Sequence, residues 1–513
     1  MNSRTHQHDI AIISLLGITS LAFNMAMAWF VTERLPHLED EIAYLFQAQT
    51  YLRGELYAPP PPAERAFFVP FVVMIKEHRV GKYSIGWPLV LALGEMVGAG
   101  WLVNPILGAL TVMLIYRLGC DVYNRSVGTA AGVLALASPL FLIQSATYMN
   151  HALAALCTTL LMWSIFRIDQ ARQVGRFPFR WAILAGSALG LLMLTRPFSG
   201  VAVALPFAVV ALWQIARAGS DRWELFRVYL VLAGLASLIA LLQPLYLYLV
   251  TGDPLINLYT LVWKYDQVGF GPDFGRHGHT LQKGLNITRT GLTLWISDSF
   301  GWPYAGWLPL LPGLALGGKQ IKPGLRLWSV LLCLPFVMLV IFYIAYWVGE
   351  IVYGPRYFYE GLPGLAIVAA AGLNAMASSM ASSIARLRQH SYGVPLALSI
   401  IMLVLLGING AVYLPYRIPQ WYQLYGIKRQ PLDELEGLRQ TDRVLVLVRS
   451  GHWHDYGEFI YLNSPWYDTP IIVAHDYNPQ MAAKVIALYP DREVWYYNGS
   501  FSSTPSPYIK ESP

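Results

Sequence analysis

Ionisable residues are scarce in this sequence. Of its 513 residues, 36 are Lys or Arg and 30 are Asp or Glu, so 13% are charged against 55% apolar. Ordinary soluble domains carry about 25% charged residues, and the deficit excludes a soluble enzyme. Cysteine is nearly absent as well. Cys120, Cys157 and Cys333 lie in or beside apolar runs without CxxC spacing, which excludes a disulfide framework and a thiolate zinc site. Fixed-period repeats are missing, as are the paired broken helices that mark secondary transporters. What the chain has instead is a succession of apolar runs of about 20 residues, each long enough to cross a hydrocarbon layer as a helix. The formal net charge of +6 is spread as short Lys/Arg clusters between these runs, a pattern that orients membrane helices and does not imply nucleic acid.

Short basic loops face the cytoplasm, and this rule yields a consistent path of about 11 transmembrane helices. Residues 10–31 are an uncleaved first span, too long for a signal-peptide core despite Arg4 and the Ala26-Met27-Ala28 triplet. A long outer loop, 32–101, follows. Within it, residues 86–98 are apolar but short and interrupted by Glu95, and are read as an interfacial helix. Counting them as a span would place Arg167, Arg172, Arg176 and Arg180 outside. The other spans fall at 102–118, 127–147, 152–166, 181–195, 198–216, 228–250, 304–317, 327–348, 360–379 and 393–412, with a second long outer loop at 251–301. Arg217, Arg222, Arg227, Lys319, Lys322, Arg326, Arg386 and Arg388 then lie inside, and the N-terminus is cytoplasmic. The odd count leaves the C-terminus outside. Residues 1–412 are thus expected to form an all-α polytopic membrane domain. Residues 413–513 are expected to form a small extracytoplasmic α/β domain, from the β-type runs 444–448, 471–473 and 494–497 and a helical stretch near 479–488.

Charges buried at mid-membrane mark ion-coupled transport, and the spans carry almost none. Polar residues gather instead in four predicted outer segments: the first loop, the Asn150-His151 turn, the 251–301 loop and the loop around Arg356. The first loop opens with Glu39-Asp40-Glu41 ahead of Ile42, Leu45, Phe46 and Leu52, which are spaced for one face of a helix. Acids at a helix N-terminus satisfy its orphan N–H groups and complement its dipole. They can serve as caps alone, or one of them can accept a proton from a hydroxyl nucleophile.

The order of these features resembles the GT-C superfamily of membrane glycosyltransferases, in the branch of the protein O-mannosyltransferases and the lipid A aminoarabinose transferase. The matching stretches are Glu39-Asp40-Glu41-Ile42-Ala43-Tyr44, Gly81-Lys82-Tyr83-Ser84-Ile85-Gly86-Trp87-Pro88, Leu194-Thr195-Arg196-Pro197 and Tyr353-Gly354-Pro355-Arg356-Tyr357-Phe358, and the resemblance covers roughly residues 8–412. It implies inverting transfer of a sugar from a polyprenyl-phosphate donor to a hydroxyl acceptor on a lipid, a polysaccharide or a protein at the outer face. It also implies Asp40 as the base that takes the acceptor proton, with Glu41 supporting it. Arg356 suits the leaving phosphate because guanidinium binds phosphate oxygens bidentately, and Lys82, Tyr357 and Arg196 join it as donor-site candidates. Arg356 can equally snorkel to headgroups, and Arg196 can cap span-end carbonyls. Glu39, Tyr44, His151, His277 and His279 are candidate substrate contacts.

His277 and His279 lack further ligands at suitable spacing, so no metal site is assigned to them. The aminoarabinose transferase resemblance implies a metal-binding acid just before the lysine, whereas residue 81 is glycine. No cofactor is certain from the sequence; a divalent metal is possible but has no clear ligand set. The expected setting is a bacterial cytoplasmic membrane, in contact with membrane lipids and with the site facing out. A glycolipid flippase and a non-catalytic envelope scaffold are the rival readings. The first predicts functional polar residues within spans, where Gln243 stands beside Pro244; the second predicts that Asp40 and Arg356 are dispensable.

Overall fold

A computed structural model describes residues 3–320, 326–349, 351–383, 393–438, 443–449 and 452–503. Lys322, Arg386, Arg388 and the side chain of Lys319, all expected at the inner face, lie outside these residues. Seven of the described helices are long and apolar enough to cross a membrane: Gln7–Phe30, Gly100–Val122, His151–Arg172, Pro197–Arg217, Gly219–Thr251, Arg356–Ser383 and Gly393–Gln420. Arg125–Ala137, Phe179–Thr195 and Trp328–Tyr343 are shorter apolar helices, and Leu310–Gln320 stands at the predicted 304–317 span. Each predicted span overlaps helix, but residues 304–309 of the 304–317 span are turn and the 327–348 span leaves helix after Tyr343.

The helices sort into a centre and a rim. His151–Arg172 and Arg356–Ser383 are the most buried, while Gln7–Phe30, Gly219–Thr251 and Gly393–Gln420 present most of their surface outward. Small residues make the central position possible, because without a hydrophobic drive in lipid, helices associate by close backbone approach. A Cβ at Gly364 or Gly372 would run into the carbonyls of Leu332 and Pro309.

Two predicted segments differ in detail. The 127–147 span is broken at Ser138, which leaves the helical region (φ −63°, ψ 123°) and caps a new helix, Pro139–Gln144, through its hydroxyl. Proline disfavours helix in the residue before it and is tolerated at a helix start, so the break is encoded by Ser138-Pro139. The 251–301 segment is not all loop, since Leu281–Asp298 is an 18-residue helix. Its buried positions are Gly284, Thr288, Gly291, Trp295 and Asp298. They recur at helical spacing, but small and polar residues give no hydrophobic signal.

The first loop holds the expected helix Glu39–Leu52, an antiparallel hairpin of β1 (Val72–Ile75) and β2 (His78–Gly81), and the short helix Gly86–Glu95. The helical chain of the last span continues through Gln420, beyond which the C-terminal region supplies β3 (Val444–Val448), β4 (Ile471–His475), β5 (Glu493–Tyr497) and β6 (Phe501–Ser502). They form one sheet in the order β4-β3-β5-β6, parallel except for β6. All five residues of β3 are buried, as expected of a parallel strand covered on both faces. The first loop supplies part of each cover. Leu35 and Ile42 pack with Val444, Val446 and Val448 on one face, and Ala63, Ala66 and Phe67 pack with Leu445 and Leu447 on the other. Buried Arg79 on β2 completes the junction, donating to Pro59 O (2.7 Å), to Tyr467 Oη (2.6 Å) and to the Pro465 carbonyl. The C-terminal sheet and the first loop share one core.

Candidate active site

The acidic helix has an apolar residue, Leu38, where a capping side chain would stand. Glu41 compensates from the third helical position. Its Oε2 accepts the backbone N–H groups of His37 (2.7 Å) and Leu38 (3.0 Å), and its Oε1 accepts that of Tyr148 (2.7 Å). The hydroxyl of Tyr353 also donates to Oε2, at 3.3 Å. One buried carboxyl thus ties the helix start to the end of the third predicted span and to the loop that carries Arg356. Burial pushes the Glu41 carboxyl up to about 7, against the lowering effect of its three backbone N–H partners.

Asp40, the next residue back, points the other way, into a cavity of about 500 Å³. Its Oδ1 accepts the Tyr83 hydroxyl at 2.5 Å, and Arg356 Nη2 stands 3.7 Å from its Oδ2. Glu39, Tyr44, Lys82, His151, Arg196 and Tyr357 line the same cavity. Residues separated by more than 300 positions are brought together at one end of the helix bundle, where the predicted outer segments meet.

Lys82 projects from the chain just after β2. Its Nζ lies 3.4 Å from Asp266 Oδ2, with both side chains buried, and 3.6 Å from the ring centre of Phe71. Burial pushes the ammonium below the ordinary lysine range, opposed by the charges of Asp40, Asp266 and Glu39. Arg196 is held differently. Its Nη1 donates to Asn150 Oδ1 at 2.9 Å and meets His151 Nε2 at 3.2 Å, while its Nη2 donates to Tyr343 Oη at 2.8 Å. Nε stands 2.7 Å from Glu360 Oε1. A guanidinium engaged on every nitrogen is a fixed part of the cavity wall.

Two candidates stand elsewhere. The ring of His279 is buried outside the cavity, with Nε2 2.9 Å from Ile344 O and the ring stacked on Phe270. The carbonyl of His277 accepts from Lys283 Nζ at 2.9 Å; neither histidine is among the cavity-lining residues. Glu41 lies behind the cavity wall. Sequence reasoning passed over Tyr83 and Glu360 for the site, and named Asp266 only as one of the 251–301 loop residues able to touch sugar or phosphate. Tyr83 and Asp266 lie inside the segments that drew attention, and Glu360 stands one helical turn beyond Arg356, which was the available signal.

Among the described residues no group of three or more His, Cys, Asp or Glu side chains is placed to hold an ion. A Cβ at Gly81, where the resemblance implies an acid, would come within 2.6 Å of the Gln47 side chain. Gln47 is itself fixed by hydrogen bonds to Tyr83 O (3.1 Å) and Tyr51 Oη (3.2 Å).

The helical bundle presents an acid of the first loop to a cation-lined cavity. Residues 87–248 match the family described as dolichyl-phosphate-mannose-protein mannosyltransferase. The fold is similar to that of ArnT from Cupriavidus metallidurans bound to undecaprenyl phosphate, with 14% identity, a TM-score of 0.53, and coverage of 96% of this chain and 90% of that one. It is also similar to the archaeal oligosaccharyltransferase AglB from Archaeoglobus fulgidus in complex with an inhibitory peptide and a dolichol-phosphate, with 14% identity, a TM-score of 0.52, and coverage of 96% and 70%. No curated protein sequence matches the chain significantly. At 14% identity these likenesses show a shared fold, and the family match spans less than half of the chain.

Proposed function

We propose that this protein moves a sugar from a polyprenyl-phosphate donor to a hydroxyl acceptor on the outer face of a bacterial cytoplasmic membrane, with inversion at the anomeric carbon. The observation that carries this reading is the placement of Asp40 opposite Arg356, 3.7 Å apart in a cavity that Lys82 also lines. Donor entry exchanges the Asp40–Arg356 contact for contacts between Arg356 and the phosphate, which frees Asp40 Oδ2 for the acceptor. The acceptor oxygen then attacks the anomeric carbon as Asp40 takes its proton, and the bond from that carbon to the phosphate oxygen breaks with its electron pair on the phosphate. Arg356 and Lys82 offset the charge that develops on this leaving group. Tyr83 orients Asp40 through Oδ1. Undecaprenyl phosphate in the ArnT structure and dolichol-phosphate in that of AglB support a lipid-phosphate donor here. The concentration of charge in one cavity at the end of the bundle favours this reading over a flippase.

The test is a panel of undecaprenyl-phosphate sugars incubated with the purified protein in nanodiscs together with an envelope extract, scored as undecaprenyl phosphate released. One donor should support release that Asp40→Asn lowers about 10²–10⁴-fold. Release unaffected by that substitution, at matched folding, would remove Asp40 as the base.

A further inference from the structure

Lys82 and Asp266 are buried together, yet they come from the two separate outer loops. Asp266 spends Oδ1 on the second loop's own neighbourhood, accepting Trp347 Nε1 at 3.1 Å and Tyr346 Oη at 3.3 Å, and it offers Oδ2 to Lys82 Nζ at 3.4 Å. The backbone beside it is anchored too, with Gly269 N donating to Ala345 O at 2.8 Å. Four aromatic rings also surround the ammonium: the ring centres of Phe71, Tyr259, Trp263 and Tyr83 lie 3.6, 4.8, 5.1 and 5.3 Å from Nζ. Ring faces attract a cation but cannot replace its hydration. An ammonium in such a box keeps its charge only with an anion beside it. Asp40 and Glu39 contribute from the acidic helix, but Asp266 is the acid in direct reach.

We propose that Asp266 is a positioning residue of the donor site: it holds the Lys82 ammonium, charged and in place, for the donor phosphate. The assignment rests on the donor reading above for the identity of what Lys82 meets, but the Asp266–Lys82 dependence itself is independent of any ligand. It gives the second outer loop a defined task. By carrying the acid in direct contact, the loop adds to the larger effect of Asp40 in holding Lys82 charged, so the donor site is complete only when the two loops are docked on each other. Asp40 and Glu39 face Lys82 from the acidic helix, Tyr83 and Tyr259 flank it, and Tyr346 reaches it through Asp266.

Two measurements separate the proposal from the reading it rests on. The first uses the protein without ligand. Competitive amine labelling of Lys82 with a small acylating reagent, followed by mass spectrometry across pH 7 to 11, reports where the ammonium loses its proton. Asp266→Asn should move that point down by about one unit or more, Asp266→Glu should restore it, and a wild-type curve in Asp266→Asn overturns the proposal. The second follows thermal stabilisation by undecaprenyl phosphate above pH 8, where the phosphate monoester is fully ionised. Stabilisation should fade at lower pH in Asp266→Asn than in wild type, and Lys82→Gln should make the Asp266 substitution silent. A labelling shift in Asp266→Asn without any stabilisation of the wild type supports the Lys82–Asp266 dependence and overturns the donor assignment.

Discussion

Buried charge gathers at both ends of the helix bundle, and the two clusters are built to opposite purposes. The helix His151–Arg172 connects them: His151 lines the cavity, and Asp169, 18 residues on by the numbering, stands about 27 Å away along the axis. At that far end Asp169 Oδ1 accepts from Arg172 (3.1 Å) and Gln214 (2.9 Å), and its Oδ2 accepts Trp328 Nε1 (2.9 Å). Tyr229 in turn donates to Gln214 Oε1 at 2.8 Å. Both oxygens of Asp169 and both ends of the Gln214 amide are engaged, which is what a buried polar group needs in order to stabilise a fold. At the cavity end, Asp40, Lys82 and Arg356 border a void large enough for a substrate. The far end also holds a void, of about 1030 Å³, but apolar side chains make up most of its lining and Asp169 is not part of it; what sets the cavity end apart is several charged groups facing one void.

The sharpest break of this comparison pairs two Asp→Asn substitutions. Asp40→Asn should cost about 10²–10⁴-fold in turnover with thermal stability retained. Asp169→Asn should leave turnover in place and lower stability by about 1–3 kcal/mol, read by thermal unfolding. Equal losses of turnover would erase the distinction. Next in size is a contrast between two arginines of the cavity itself. Arg356→Lys should weaken binding of undecaprenyl phosphate by about tenfold, because a point charge cannot engage phosphate bidentately. Arg196→Lys should act mainly on stability, since Glu360, Asn150 and Tyr343 lose their shared donor. Isothermal binding and unfolding of both variants would sort them.

A third prediction concerns Glu41, the acid between the two behaviours. Its folded value of about 7 lies above the ordinary 4.5, so the native state holds the proton more tightly than the unfolded chain. The stability that this adds is fully present below about 4.5 and is lost as pH rises through about 7. Wild type should thus lose thermal stability relative to Glu41→Gln between those values, and parallel curves would contradict it. The smallest effect is expected for Trp328→Phe, which removes one hydrogen bond to Asp169 at a cost of about 1 kcal/mol and leaves turnover unchanged.

The helical bundle was legible because each span announces itself by a run of apolar residues, and the predicted outer segments do meet at one end. The acidic helix and its Asp40, Lys82 and Arg356 neighbours were legible because their residue types stand out in loops. Long-range assembly was not. Nothing local says that Glu41 turns inward to Tyr148 and Tyr353 while Asp40 turns to the cavity, or that His279 packs against Ile344 and Phe270 rather than the substrate side. The Leu281–Asp298 helix escaped because Gly284, Thr288 and Gly291 bury by smallness. Arg79 and β3 show the same limit. Each needs a partner hundreds of residues away, and the shared core of first loop and C-terminal sheet appears only once the chain is folded.

The central claim is that the cation-lined cavity end binds a lipid phosphate and the far end does not. The most direct measurement is thermal stabilisation of the detergent-purified protein by undecaprenyl phosphate, with a short-chain phosphate as control, in wild type, Arg356→Ala and Asp169→Asn. Ligand bound only by the folded state raises its stability by mass action. The account predicts stabilisation of wild type and Asp169→Asn and its loss in Arg356→Ala; equal stabilisation of all three, or none in well-folded wild type, would contradict it.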